Sequence, residues 1–240
     1  MKGIILAGGT SSRLFPLTKI FTKHLLPVGK YPMIVHAVNK LRQAGIHEIL
    51  IVSDRQQSGN IIQLLGSGEE FNVSLTYRIQ EKAGGIANAL EVAKTFVDQE
   101  PMLVLLGDNI FLDDLSPFVE SFKKQEKGAK VLIKEVEDPH RYGVPELKEN
   151  TIVGIDEKPQ NPKSNYAVTG IYLYDSQVFE IIETITPSER GELEISDVNN
   201  AYIRNNQLSF EVLRGWWIDA GTHESLFLAN QLAKNIVWNS

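Results

Sequence analysis

A regular alternation of short apolar runs with segments of helical periodicity constrains the fold of this chain more than any other feature. Residues 3–7, 48–52 and 102–106 are short, largely apolar runs, as expected for strands buried in a sheet. Helical apolar spacing lies between them, for example at residues 60–65 and 86–96. Strands that alternate with helices of this length are typical of βαβ units. We therefore predict an α/β fold with a Rossmann-like, doubly wound mixed sheet, mainly parallel and flanked by helices.

The pattern changes after residue 128, where strand-like runs become more frequent. They lie at residues 131–136, 152–155 and 168–174. We expect these strands to extend the sheet and to form a small strand-rich cap beside it. Helical spacing returns at residues 176–185, 196–204 and 223–237. No repeat, low-complexity tract or linker interrupts the chain, so we predict a single domain over residues 1–240.

Composition excludes several classes of partner and chemistry. The chain has 24 Lys and Arg against 30 Asp and Glu, a net charge of −6 and a pI near 5.5. This balance argues against a nucleic-acid partner, because a phosphate backbone needs a basic surface. The absence of cysteine excludes disulfides, thiolate metal sites and a cysteine nucleophile.

No membrane or targeting signal is evident in the sequence. The apolar runs fall short of the ~18 residues that a membrane helix needs, and the first residues do not form a signal peptide. We therefore expect a cytoplasmic protein with no membrane partner. The five histidines show no metal-binding or nucleophile–base spacing, and we expect them on the surface, on helix faces or in turns.

The loop after the first predicted strand combines glycine with basic residues. It reads Gly8-Gly9-Thr10-Ser11-Ser12-Arg13-Leu14. The glycine pair lets the backbone approach an anion, and the planar guanidinium of Arg13 suits phosphate oxygens. The spacing matches neither a P-loop nor a dinucleotide fingerprint, so a tight turn with a solvated arginine is the simpler interpretation of the loop alone. Lys23, ten residues further on, could bring a second cation to the same place.

With these motifs the segment from residue 3 to residue 33 resembles the sugar-1-phosphate nucleotidyltransferases, also called sugar-nucleotide pyrophosphorylases. Later segments are similar to one branch of this family, the glucose-1-phosphate thymidylyltransferases. They are LGDNIF at 106–111, EKP at 157–159, YAVTGIY at 166–172, GELEI at 191–195 and DAGTH at 219–223. The resemblance covers essentially the whole chain, in order. It implies a GT-A-like nucleotidyltransferase fold with a nucleotide-binding part at about 1–128, a sugar-binding cap at about 129–222 and a C-terminal helix at 223–240.

The resemblance also implies a reaction. In that branch, dTTP and α-D-glucose 1-phosphate give dTDP-glucose and pyrophosphate, for the synthesis of deoxysugars such as dTDP-rhamnose and of envelope or spore-coat polysaccharide. Two alternatives stay open from the residues alone. The chain could use UTP or CTP, or a different sugar, and it could instead be a non-catalytic regulatory protein that binds nucleotide sugars.

The implied metal ligands are Asp108 and Asp219, and the implied cofactor is Mg²⁺. Two carboxylates together with phosphate oxygens and water suit this hard, octahedral cation. Both aspartates end an apolar stretch before a turn of small residues, which favours a shared site although they lie far apart in the sequence. The resemblance assigns catalytic roles to three cations, which are Arg13, Lys23 and Lys158. Lys158 is expected on the phosphate of the sugar.

The other implied contacts belong to the two substrates. Nucleotide contacts are implied for Leu6, Gly8, Gly9, Gln80 and Gly85. The Gln80 amide is expected to read the pyrimidine edge, because an amide both donates and accepts hydrogen bonds. Sugar contacts are implied for Asn109, Gly143, Glu157, Val168 and Glu194. Without the resemblance, each of these residues is also consistent with an ordinary turn, cap or strand-end role.

One position departs from the family pattern, which has glycine where this chain has Ser11. If the backbone is left-handed there, serine costs about 1 kcal/mol relative to glycine. Such a cost would affect the geometry of the loop and the affinity for nucleotide rather than the role of Arg13.

The segment after the DAGTH motif leads to an expectation about regulation. Longer family members continue there into further helices, which help to build a regulatory nucleotide-sugar site and a tetramer. In this chain the segment after His223 suffices for about one helix. We therefore expect nucleotide sugars to inhibit only by competition at the active site, and the assembly to be a homodimer or a monomer.

Overall fold

The computed structural model describes residues 1–9, 11–125 and 127–238; Thr10 of the glycine-rich loop, Glu126 and residues 239–240 of the predicted C-terminal segment lie outside the described residues. The strands are β1 (Lys2–Ala7), β2 (Pro27–Val28), β3 (Tyr31–Pro32), β4 (Glu48–Asp54), β5 (Ser74–Gln80), β6 (Met102–Leu106), β7 (Asn109–Phe111), β8 (Ala129–Glu135), β9 (Gly143–Lys148), β10 (Thr151–Glu157), β11 (Tyr166–Tyr174), β12 (Leu208–Val212) and β13 (Trp217–Asp219). The α-helices are α1 (Met33–Gln43), α2 (Ser58–Leu65), α3 (Ile86–Glu91), α4 (Lys94–Val97), α5 (Ser116–Lys123), α6 (Val178–Ile182), α7 (Ile195–Arg204) and α8 (His223–Ala233). None of these helices, within the described residues, is long and apolar enough to cross a membrane.

One mixed sheet organises the molecule. Strands β1, β4, β5 and β6 are parallel, in the order β6-β1-β4-β5. On the other side of β6, β11 is antiparallel to β6, β8 is antiparallel to β11, and β12 is parallel to β8. This arrangement confirms the predicted α/β class with a mainly parallel sheet.

Helices cover both faces of the sheet, which explains the continuous apolar runs. Along β1, Ile5 and Ala7 pack on one face with α1, whereas Ile4 and Leu6 pack on the other face with α3, α6 and α7. Successive residues of a strand point to opposite faces. Each run therefore contributes side chains to two separate apolar clusters, and neither face of β1 is open to water.

The strands that were expected beyond residue 128 belong to the same sheet. Strand β11 is nine residues long and its second half pairs with β6. Its first half extends past the end of β6 and pairs at Val168 with Gly143 of the β9–β10 hairpin. This hairpin is the strand-rich addition beside the parallel strands. The division into a nucleotide part and a sugar part remains a prediction.

Several elements differ in extent from the sequence prediction. The segment 86–96 forms two helices, α3 and α4, rather than one, and the helix predicted at 176–185 is only the five residues of α6. The short strands β7 and β13 were not predicted because three residues are too few to show a period. Strand β9 was missed because its residues GVPELK include glycine, proline and charged side chains, which are uncommon in strands.

The topology places several loops at one edge of the sheet. The carboxyl ends of β1, β5 and β6 open there, and the antiparallel β11 begins there. The ribbon formed by β7 and β13 pairs Asn109 with Asp219, and the Ala220 N–H donates to the carbonyl oxygen of Asp108 at 2.9 Å. Ligands of open α/β sheets bind at the carboxyl ends of the strands, so this edge is where a site is expected.

Candidate active site

A cavity of about 550 Å³ lies at this edge of the sheet. Its size is typical of a pocket for a small organic ligand. Of the site residues predicted from the sequence, its lining includes Leu6, Gly8, Gly9, Arg13, Lys23, Gln80, Gly85, Asp108, Asn109, Gly143, Glu157, Lys158, Val168 and Asp219. The cavity therefore brings together residues from β1, β5, the β6–β7 turn, the β9–β10 hairpin and β13.

Glu194 is the predicted site residue that does not line the cavity. It precedes α7 and is buried, with 7% of its surface exposed. Its carboxylate accepts hydrogen bonds from Arg190 at 2.8 and 2.9 Å and from Ser188 at 2.7 Å. The sequence could not reveal this, because the direction of a carboxylate depends on the cations that fold around it. Glu194 is committed to these neighbours rather than directed at the cavity.

Asp108 is held on both of its carboxylate oxygens. The Lys23 ammonium donates to Oδ2 at 2.5 Å, and the Asn109 amide donates to Oδ1 at 3.1 Å. Burial by itself raises the pKa of Asp108, but the charge of Lys23 and these two hydrogen bonds outweigh burial and hold that pKa well below its usual value. Asp108 is therefore an anion in the folded protein.

Asp219 lies beside Asp108 and is the less satisfied of the two carboxylates. Its Oδ1 is buried and has no hydrogen-bond partner among the described residues. Burial, and then the negative charge of Asp108, raise the pKa of Asp219. A buried carboxylate oxygen without a partner is unfavourable, and a bound cation would satisfy it.

This pair of carboxylates fits a divalent cation. No group of three or more His, Cys, Asp or Glu side chains in the described part of the chain is placed to hold a metal by itself. Asp108 and Asp219 would thus supply two oxygen ligands, and substrate and water would supply the rest. That division suits Mg²⁺, which is usually held by one or two carboxylates together with substrate phosphates.

Asn109 holds the Asp108 carboxylate in place through its side-chain amide. Its Oδ1 accepts from the Gly170 N–H at 2.8 Å and from the Trp217 indole N–H at 2.7 Å. Both of these groups can only donate, so the amide nitrogen must point toward Asp108. Because Asn109 is only 3% exposed, its predicted contact with a sugar can involve only the N–H that is left over.

Arginine side chains bring positive charge to the part of the cavity that Asp108 and Asp219 line. A Cβ on Gly221 would lie 2.8 Å from Arg13 Nη2 and 2.7 Å from Asp219 Oδ1, so a side chain at position 221 would clash with both groups. Arg141 also lines the cavity, and its buried Nη2 has no hydrogen-bond partner among the described residues. Sequence reasoning missed Arg141; its place directly before Tyr142 and Gly143 was the available signal.

Ser11 has the left-handed backbone that its position in the loop suggested. Its φ is 52° and its ψ is 20°. Its carbonyl oxygen accepts from the Thr18 hydroxyl at 2.8 Å and from the Leu14 N–H at 3.1 Å. Among the described residues, its own hydroxyl donates one long bond of 3.5 Å, to the Gly9 carbonyl. The loop therefore depends on the backbone of Ser11 more than on its side chain.

Ser11→Gly should leave kcat/KM unchanged or improve it, because glycine relieves about 1 kcal/mol of backbone strain. Steady-state kinetics would measure kcat/KM, and urea unfolding would measure the change in the free energy of unfolding. Ser12→Gly is the matched control, since Ser12 has no left-handed backbone and glycine there should only destabilise. A tenfold or larger loss of nucleotide affinity in Ser11→Gly would show instead that the serine hydroxyl contacts the ligand.

Glu157, the last residue of β10, and Lys158 directly after it also line the cavity. Glu157 Oε2 accepts from the Ser196 hydroxyl at 2.6 Å, and Glu157 Oε1 lies 3.4 Å from Lys158 Nζ and 3.4 Å from Arg190 Nη2. Lys158 has a left-handed φ of 45°, and its N–H donates to the Tyr142 carbonyl at 2.9 Å. Such backbone strain is concentrated at functional sites. Ser196, which sequence reasoning also missed, orients Glu157.

Two ring-bearing residues, His24 and Trp217, also line the cavity. His24 lies in the short 3-10 turn Lys23–Leu25 and is 1% exposed, and its Nδ1 lies 2.9 Å from the Thr22 hydroxyl. Burial, and then the charge of Lys23, lower the pKa of His24 to about 3, so the ring is neutral. Trp217 forms part of the wall, with its ring edge-to-face against Tyr142 at 5.2 Å.

Comparisons with known proteins agree with this geometry. A family model described as nucleotidyl transferase matches residues 2–235. The chain is 42% identical to the glucose-1-phosphate thymidylyltransferase of Neisseria meningitidis serogroup A over 242 residues, which cover 98% of this chain and 83% of the relative.

Two solved structures are also similar. One, from Bacillus anthracis, is provisionally assigned as a glucose-1-phosphate thymidylyltransferase and was solved with a sucrose; it has a TM-score of 0.97 and 56% identity, over 100% of this chain and 98% of that chain. A UDP-glucose pyrophosphorylase complexed with UDP-glucose has a TM-score of 0.87 over 96% of this chain and 97% of that chain. At 24% identity, this second structure supports the fold alone.

Proposed function

Because this chain belongs to the nucleotidyl transferase family, we propose that it transfers a thymidylyl group from dTTP to α-D-glucose 1-phosphate, which gives dTDP-glucose and pyrophosphate. The observation that carries this proposal is a single cavity whose lining brings together two adjacent carboxylates, two arginines and, at the end of β10, Glu157 and Lys158. Such a cavity can hold a triphosphate and a phosphorylated sugar together.

The reaction needs no protein nucleophile. An oxygen of the sugar phosphate attacks the α-phosphorus of the nucleotide and forms a new O–P bond. The bond from the α-phosphorus to the oxygen that bridges it to the β-phosphorus breaks, and pyrophosphate leaves with that oxygen and the electron pair of the broken bond. The attacking phosphate is already an anion, so it needs no general base. The protein therefore acts by positioning the two substrates and by neutralising their charge.

The cations have separate tasks in this proposal. Arg13, beside Asp219 at Gly221, binds phosphate oxygens of the nucleotide. Lys23, which balances the charge of Asp108 in this structure, also neutralises the triphosphate. Lys158 binds the incoming sugar phosphate. Positively charged side chains at defined positions thus offset the repulsion between the two anionic substrates.

We propose Mg²⁺ as the cofactor and Asp108 and Asp219 as its protein ligands. Two observations support the assignment: the Oδ1 of Asp219, which has no hydrogen-bond partner in the described part of the chain, and the adjacent anionic Asp108. When bound there, Mg²⁺ would supply positive charge against the phosphate oxygens. Asn109 and Lys23 keep Asp108 oriented, and Trp217 keeps Asn109 oriented.

The sugar is proposed to lie along the β9–β10 hairpin. Glu157, oriented by Ser196, accepts hydrogen bonds from sugar hydroxyls, and the backbones of Gly143 and Val168 line the same wall. The left-over N–H of Asn109 is a further donor to the sugar. The nucleotide is proposed to lie against Leu6, Gly8, Gly9, Gln80 and Gly85, which line the same cavity. The product would serve deoxysugar and polysaccharide synthesis in the cytoplasm.

Lys158→Ala should raise the KM for glucose 1-phosphate by at least ~10-fold, with a smaller loss of kcat, because a charge-assisted contact to the substrate phosphate is lost. Steady-state kinetics with each substrate varied in turn would measure this. Lys163→Ala is the control, since Lys163 is an exposed lysine nearby that pairs with Glu146 and Asp156; its kinetics should not change. A KM increase confined to dTTP would assign Lys158 to the nucleotide.

The direct test of the function is pyrophosphate release over a matrix of nucleotides and sugar phosphates with Mg²⁺. The nucleotides would be dTTP, UTP, dCTP and CTP, and the sugars would be the 1-phosphates of glucose, galactose and N-acetylglucosamine. We expect the highest kcat/KM for dTTP with glucose 1-phosphate. A higher value for another pair would reassign the substrates, and no release with any pair would contradict the proposal.

A further inference from the structure

The Arg190 guanidinium connects two carboxylates beside the cavity. Its Nη2 donates to Glu194 Oε2 at 2.8 Å and to Glu194 Oε1 at 2.9 Å, and it donates to Glu157 Oε1 at 3.4 Å. A guanidinium can only donate hydrogen bonds and a carboxylate can only accept them, so these contacts have one possible direction. Arg190 is not among the described residues that line the cavity, whereas Glu157 and Glu192 are. Arg190 can therefore affect a ligand in the cavity only through a partner.

Glu194 fixes the position of the guanidinium. The Glu194 side chain is 9% exposed, and it also accepts from the Ser188 hydroxyl at 2.7 Å. A buried carboxylate retains its cation, because an unpaired charge in the interior is costly. The loop that carries Arg190 is tied down by its backbone as well, since the Leu193 N–H donates to the Gly84 carbonyl at 2.8 Å. Arg190 is thus anchored on one side and meets Glu157 on the other.

The contacts to Glu157 determine which of its lone pairs face the cavity. A carboxylate has about four acceptor sites, two on each oxygen. The Ser196 hydroxyl uses one site on Oε2, at 2.6 Å, and Arg190 faces Oε1. A restraint on one oxygen alone lets the carboxylate turn about the Cγ–Cδ bond, whereas restraints on both oxygens fix its plane. One acceptor site on each oxygen then remains for two neighbouring hydroxyls of a sugar.

Lys158 cannot replace Arg190 in this role. Its Nζ also lies 3.4 Å from Glu157 Oε1, but the proposed function directs this ammonium to the phosphate of the sugar. An ammonium is a single point charge on a flexible stem, whereas a guanidinium is a rigid fork that can hold two carboxylates at once. When Lys158 binds the phosphate, Arg190 is the cation that stays at Oε1.

We infer that Arg190 is a positioning residue for sugar recognition: anchored by Glu194, it holds the Glu157 carboxylate so that both oxygens accept from hydroxyls of the sugar. The inference rests on the proposed binding of the sugar at Glu157. Without Arg190, the carboxylate turns and the sugar is bound less tightly. The nucleotide, which is placed elsewhere in the cavity, keeps its affinity.

The test compares the binding of dTDP-glucose and dTDP by titration calorimetry with Mg²⁺, which requires no turnover. Arg190→Gln should weaken the binding of dTDP-glucose by at least ~10-fold, as expected for a lost restraint from a charged hydrogen bond, and should change that of dTDP by less than ~2-fold. In a Glu157→Gln background, Arg190→Gln should add less than ~2-fold, because coupled residues are not additive. Arg204→Gln, the same change at the exposed far end of α7, is the control and should bind both ligands normally.

Arg190→Gln leaves the buried Glu194 without its cation, so Arg190→Gln/Glu194→Gln is a second variant in which no unpaired buried charge remains. It should show the same selective loss of dTDP-glucose binding. Native affinity for dTDP-glucose in both variants would overturn the inference. So would an equal loss of affinity for both ligands, which a purely structural role produces, or an undiminished effect of Arg190→Gln in the Glu157→Gln background, which would assign its action to Glu192.

The same measurements separate this inference from the proposed function. Selective, Glu157-dependent loss of dTDP-glucose binding in a protein that releases no pyrophosphate with any substrate pair would contradict the proposed function and leave the inference standing. Pyrophosphate release by the native protein together with additive effects of Arg190→Gln and Glu157→Gln would do the reverse. A native protein that does not bind dTDP-glucose would contradict both.

Discussion

Asp108→Asn should lower kcat by at least ~100-fold while the protein stays folded, because the substitution keeps the shape of the side chain and removes the charge that would hold Mg²⁺ at the phosphates. Asn109 can still donate to the remaining oxygen at position 108. The measurements are kcat at saturating Mg²⁺ and the increase in Tm that Mg²⁺ and dTTP produce together. Both the turnover and this increase in Tm should be lost.

Asp156→Asn is the matched control for this experiment. It makes the same change of charge on the β9–β10 hairpin, at a side chain that is 47% exposed and pairs with Lys163. An exposed ion pair contributes little to stability, so its kcat and its response to Mg²⁺ should stay native. Near-normal turnover of Asp108→Asn at saturating Mg²⁺ would show that Asp108 is not a metal ligand.

Gly85→Ala should destabilise the fold by about 2–4 kcal/mol and raise the KM for the nucleotide, because it combines backbone strain with a backbone clash. Gly85 has φ 92° and ψ 176°, a conformation that is essentially restricted to glycine. A Cβ there would lie 2.5 Å from the Leu193 carbonyl oxygen. That oxygen cannot move away easily, because it also accepts from the Ala87 N–H at 3.2 Å. Urea unfolding and initial rates would measure the two effects.

Gly45→Ala is the control that measures the cost of backbone strain without a steric clash. Gly45 also has a positive φ, 74°, but a Cβ there would meet nothing within 4 Å, so alanine should cost only about 1 kcal/mol. The difference between the two variants measures the clash at Gly85. Equal destabilisation by both substitutions would mean that the loop at residues 188–193 yields to the added methyl group.

The sequence by itself determined the parallel part of the sheet and the turn of small residues that follows β1. Strands β1 and β6 show as apolar runs because both of their faces are buried, and burial on both faces leaves a signal that is local in the sequence. The left-handed backbone of Ser11 was raised as a condition from the glycine that the family has at this position. Local backbone and burial patterns can be recognised without knowing the tertiary structure.

Only the tertiary structure decided which polar groups satisfy one another. Lys23 and Asn109 hold the carboxylate of Asp108, and Arg190 turns Glu194 away from the cavity that Glu157 lines. Hydrogen bonds and ion pairs depend on distances of a few tenths of an ångström between residues far apart in the chain. No spacing in the sequence carries that information, so the residue types were predictable and their partners were not.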